Sequence, residues 1–140
     1  MSTAYDVISM AYRELDTDSQ KYWDWYFADN KPSCKNNLYS RQACFVSWLL
    51  TESSVVCPNF PRASIEKIDN YTERVFSPDD ISVGDIIVTC PNETGIVTAF
   101  DDDEVWIIAP WFFDNGVVTE IVMPLSQVQY CIRPYYQNTV

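Results

Sequence analysis

From Val83 onward the chain is a succession of short β-branched and aromatic runs: DIIVTC, TGIVTAF, EVWIIA, GVVTEIV and VQYCIRPYY. Such residues suit a pleated, half-buried surface. The breaks between them are PNE, Asp101-Asp102-Asp103, the hairpin-like Asp114-Asn115-Gly116 and PLSQ. None has room for the crossover that parallel neighbours require, so successive strands must run antiparallel. The pattern predicts a meander curled towards a small barrel.

The first half has a helical period instead. Ser2 or Thr3 can cap a helix in which Val7, Ile8, Ala11, Tyr12 and Leu15 recur on one side. The aromatic cluster KYWDWYF follows and is expected to pack on that first helix rather than to form a carbohydrate or peptide platform. Ser40 can cap a further helix, RQACFVSWLL, with Phe45, Trp48 and Leu49 on one face. The stretch from Cys57 to Phe76 reads as irregular, with one short helix from Ser64 to Asn70. Helices before strands give an α+β domain spanning 1–140, its N-terminal helices packed on a five- to six-stranded antiparallel sheet or small half-barrel.

Composition removes whole classes of chemistry. There is no histidine, so Ser-His-Asp and Cys-His machinery and His-ligated metals are excluded. The formal charge is −11, which argues against direct contact with nucleic acid or an anionic membrane. That charge is unevenly placed. Residues 1–74 carry ten acids and eight bases, whereas residues 75–132 carry ten acids and no Lys or Arg. Cys34, Cys44, Cys57, Cys90 and Cys131 form no Cys-x-x-Cys pair and read as reduced, buried thiols of a cytoplasmic protein. No signal sequence or membrane-length apolar run is evident, and no cofactor is implied. Asp79, Asp80, Asp85 and Glu93 contain no spacing that selects a catalytic carboxylate pair. Asp101-Asp102-Asp103-Glu104 lacks the ligand alternation and glycine of a calcium loop, so no metal site is expected.

The order of segments carries a resemblance. The helix reading ACFVSWLL, then VGDIIV, GIVTAF and the later strands resemble CHAP and NlpC-type papain-like domains, the cell-wall amidases and endopeptidases common in phage lysins. The matches lie at Ala43, Phe45, Val46, Ser47, Trp48, Gly84, Asp85, Ile86, Gly95, Ile96, Val97 and Thr98. The resemblance implies a nucleophilic cysteine at position 42, where this chain has Gln42, and a base at position 93, where it has Glu93. The orienting positions fall on Ala109 and Trp111. Cys44 stands two residues past the nucleophile position, rotated roughly 200° around the helix.

A scaffold without its catalytic set, joined to an acidic second half, leads to a non-catalytic intracellular inhibitor. Its partner is expected to be a basic protein, such as a nucleic-acid-binding nuclease or defence protein blocked by mimicry of a phosphate backbone; an anti-CRISPR role is the sharpest form. The expected binding residues are Asp79, Asp80, Asp101, Asp102, Asp103, Glu104 and Asp114, with Trp111, Phe112 and Phe113 as aromatic anchors. Trp106 is expected in the core. The alternatives are a domain that still binds or cleaves wall peptides, or an immunity partner of an active amidase.

Overall fold

The computed structural model describes residues 2–28, 41–58, 60–62, 74–89, 93–111 and 116–137. They form an α+β fold of three helices and an open, six-stranded antiparallel sheet. Helix α1 (Ala4–Arg13) begins at a capping box: the Thr3 hydroxyl accepts from the Asp6 amide, and the Asp6 carboxylate accepts from the Thr3 amide. Its inward stripe is Val7, Ile8 and Ala11. Helix α2 (Gln20–Tyr26) carries the aromatic cluster, which packs on α3 (Arg41–Glu52) rather than chiefly on α1. The Tyr22 ring lies 5.0 Å from that of Phe45, edge-on, and 5.2 Å from that of Trp48. Both α1 and the sheet also lean on α3, and residues 42–47 of that helix are all buried. A central helix therefore replaces the expected one-faced one. Ser40 and the expected 64–70 helix lie outside the described residues.

The strands are β1 (Val75–Phe76), β2 (Ile86–Thr89), β3 (Thr94–Phe100), β4 (Glu104–Trp111), β5 (Val117–Pro124) and β6 (Val128–Ile132), in the spatial order β1-β6-β2-β3-β4-β5. Strands β2 to β5 form the expected meander, but β6 crosses back to pair with β2 and β1. Only residues 125–127, a 3₁₀ turn, join β5 to β6. Four residue steps reach about 14 Å at most, whereas four strand spacings across a flat sheet are about 19 Å. The sheet must therefore curl, as the half-barrel expectation required, although its edges do not close.

Alternation along the strands produces two cores. Ile86, Val88, Ile96, Ile108, Val118 and Ile132 pack towards the helices. Ile87, Val97, Val105, Ile107, Ala109, Trp111, Met123 and Cys131 fill the inside of the curl. Strands β3 and β4 approach closely at Gly95, where an added Cβ would lie 2.5 Å from Ile107 Cγ2 and 2.9 Å from the Ile108 carbonyl oxygen. Gly95→Ala is therefore expected to destabilise the fold by about 1–3 kcal/mol, read from the urea midpoint; an unchanged midpoint would show that the pair can separate freely. Among the described residues, no helix is long and apolar enough to cross a membrane.

Candidate functional site

The start of α3 and the turns of the curled sheet hold the residues singled out from the sequence. Gln42 is buried, and both ends of its amide are engaged: Oε1 accepts from the Thr94 amide at 3.1 Å, and Nε2 donates to the Pro110 carbonyl at 3.0 Å. The β3–β4 ladder runs to Ile96 opposite Ile108, and two further steps in that register set Thr94 opposite Pro110. The Gln42 amide thus acts as a side-chain peptide spliced into the ladder. This brings position 42 beside the backbone of Glu93, Ala109 and Trp111, the neighbours of its two partners. Glu93 itself is half-buried, its amide donating to Thr89 Oγ1 at 3.1 Å. Ala109 is fully buried in the inner core.

Gln42, Pro110, Trp111, Arg41 and Gly116 line a recess of about 10 Å³, space for at most a single water. Cys44 is fully buried, and burial pushes its thiol up to about 12. Burial does the same to the free thiols of Cys57 and Cys131. A thiol in this state is almost wholly protonated near neutrality and is a poor nucleophile. Cys34 and Cys90 lie outside the described residues.

Trp111 is not an exposed anchor. It is 1% exposed within the inner core, and its indole Nε1 donates to the Thr119 carbonyl at 3.0 Å. The strand runs past Ala109, so the parity that buries Val105 and Ile107 buries Trp111 as well. Trp106, on the opposite parity, is half-buried rather than in a core. Phe112, Phe113 and Asp114 lie outside the described residues.

The acidic candidates do converge. Asp79, on the 3₁₀ turn Pro78–Asp80, lines an open groove of about 460 Å³ together with Asp102 and Asp103 from the β3–β4 turn. Leu125, Ser126 and Val128, from the link that curls the sheet, also line it. The Leu125 amide donates to the Asp103 carbonyl at 2.8 Å and fixes the link against the turn. Asp101 serves the turn itself. Its Oδ1 accepts from the Asp103 and Glu104 amides at 2.9 and 2.8 Å, shaping the bend that presents its neighbours. Asp80 and Glu104 are exposed beside the groove but do not line it. Among the described residues, no three His, Cys, Asp or Glu side chains are grouped to hold a metal ion. Carboxylates spaced along an open groove suit separate cationic side chains, whose apolar stems can lie on Leu125 and Val128.

A second constellation is not evident from the sequence as a unit. Asp85 is fully buried and takes a two-point contact from Arg133, Nε to Oδ1 at 2.8 Å and Nη2 to Oδ2 at 3.0 Å, while the Ser82 amide donates to Oδ2 at 2.9 Å. Arg133 also lies 3.9 Å over the Phe76 ring. Burial raises the Asp85 carboxyl above its ordinary value although the Arg133 contacts oppose it, and those same contacts raise Arg133. The two directions agree: the attraction is real, and the loss of water around Asp85 outweighs it. The one signal in the sequence is that Arg133 is the first base after the base-free stretch. No family model matches this chain, and neither the curated proteins nor the solved structures contain a match to it.

Proposed function

We propose that this protein is a non-catalytic binding protein whose acidic second half engages a basic, nucleic-acid-handling partner. The observation that carries this reading is the convergence of Asp79, Asp102 and Asp103, from two separate turns, on one groove with apolar lining. Residues 75–132 contain no Lys or Arg to offset them. Carboxylates held on a fixed frame lose little ordering entropy on binding, and their field speeds encounter with a positive surface. A partner that normally grips phosphates would meet the same sign of charge here, which makes a nuclease or other defence protein the leading class and an anti-CRISPR type of inhibitor the sharpest version.

The same reading takes the scaffold as a CHAP/NlpC-type papain-like domain that has lost its chemistry. Its support is the packing of α3 across the sheet, with Gln42 against the strands that carry positions 93, 109 and 111. An amide engaged at both ends and a protonated, buried Cys44 support this reading: among the described residues neither offers a nucleophile at the start of that helix.

The test is affinity capture from a bacterial lysate at low and high salt, followed by kinetics on the captured partner. Replacing Asp79, Asp102 and Asp103 with Asn is expected to slow association about tenfold. Stability should move by no more than about 0.5 kcal/mol, since Asp101 still shapes the turn. Unchanged association would remove the groove from the interface. Release of peptidoglycan fragments by the wild-type protein would overturn the non-catalytic reading altogether.

A further inference from the structure

A cavity of about 240 Å³ lies where the start of α1 meets the segment that follows β6, lined by Arg74, Arg133, Ser82 and Tyr136 with Thr3 and Tyr5. Among the described residues, no lining residue is acidic, in a chain whose formal charge is −11. The Arg133 charge is answered by Asp85. Among the described residues, Arg74 has no carboxylate within 4.0 Å; its Nε and Nη2 donate instead to the carbonyls of Arg133 and Pro134, at 3.1 and 3.2 Å. Among the same residues, Nη1 of each arginine makes no hydrogen bond.

Arg74 is also held in place. Its φ of 60° lies in the left-handed region that residues with a Cβ seldom adopt, and such a conformation persists only where the surroundings enforce it. The two carbonyl contacts and the Tyr135 ring, 4.7 Å from the guanidinium carbon, hold the side chain that this backbone presents. A fixed, incompletely bonded guanidinium facing a cavity with no acid among its described lining residues is a receptor for negative charge.

We propose that this cavity binds a small oxyanion, a phosphate or carboxylate group, between the free Nη1 groups of Arg74 and Arg133. The first turn of α1 adds little to this attraction, because the Asp6 carboxylate, bonded to the Thr3 amide, already answers the positive end of the helix dipole. At roughly 30 Å³ per water, the volume is that of about eight waters, enough for such a group on a small substituent. This site is separate from the acidic groove and does not depend on its function.

The test is an amide-resolved NMR titration of the whole protein with inorganic phosphate, acetate or chloride at constant ionic strength. Saturable shifts at the amides of Ala4, Tyr5 and Ser82 are expected with phosphate, with acetate, or with both, and the arm that saturates identifies the group. Arg74→Gln is expected to weaken binding at least about tenfold, the loss typical of a charged hydrogen bond. Tyr5→Glu provides a second variant that keeps the fold, because Tyr5 is 65% exposed and an acid suits the first helical turn. It should weaken binding to a similar degree. Equal shifts with chloride, no saturation with either oxyanion, or wild-type affinity in both variants would overturn the proposal.

Discussion

Replacing Arg133 with Met is expected to cost about 3–5 kcal/mol, because it strands the Asp85 carboxylate without its cation in a fully buried position. The Met stem keeps much of the packing on Phe76, so the loss reports chiefly on charge. The penalty should also depend on pH. Asp85 is already raised above its ordinary value by burial, and losing Arg133 removes the contacts that oppose this rise. When a folded-state carboxyl is raised above its unfolded value, stability is greatest at acid pH and falls as the pH rises through the folded value. The variant's deficit should therefore be smaller at pH 4.5 than at pH 7.5 in urea unfolding. Adding Asp85→Asn to Arg133→Met should recover part of the loss, since a neutral amide is easier to bury. Equal deficits at both pH values, together with no recovery in the double variant, would mean that Asp85 is not charged in the folded protein.

Gln42→Leu is the second large change. It leaves the Thr94 amide and the Pro110 carbonyl buried and without their present partner, at about 1–3 kcal/mol each, so a total of about 2–6 kcal/mol is expected from the urea midpoint. Gln42→Glu separates the two contacts. A carboxylate still accepts from Thr94, but it cannot donate to the Pro110 carbonyl and faces it as like charge. Its destabilisation should therefore shrink at acid pH, where the protonated acid regains a donor. If Gln42→Leu leaves the midpoint unchanged, the amide is not what joins the ends of β3 and β4.

These two residues show where the sequence is legible and where it is not. The strand runs, the Thr3 cap and the existence of α3 follow from local period and side-chain chemistry, and all appear in the structure; the burial of α3 on every side from 42 to 47 does not follow from its period. Strand β1 is two residues long, too short for any period to register, and it exists because Val75 and Phe76 pair with Ile132 and Cys131. The return of β6 to β2 is likewise set by pairing across the chain and by the curl. Trp111 is legible in principle: counting in twos from Val105 puts it inside, but Pro110 masks the continuation of the strand past Ala109. Among the acids, position along the sequence does not distinguish Asp101, which builds the turn, from Asp102 and Asp103, which the turn presents. That division depends on which carboxylate reaches two backbone amides, a matter of geometry within four residues.

The short link between β5 and β6 carries one more consequence. Because residues 125–127 cannot span a flat sheet, β6 can lie beside β2 only when the meander is bent. The acidic groove, with one wall on that link and another on the β3–β4 turn, exists only in the bent sheet. A nascent or partly opened chain carries the same carboxylates without the groove. A ligand seated there would act as a latch on the final strand, so that recognition and completion of the fold become a single thermodynamic event.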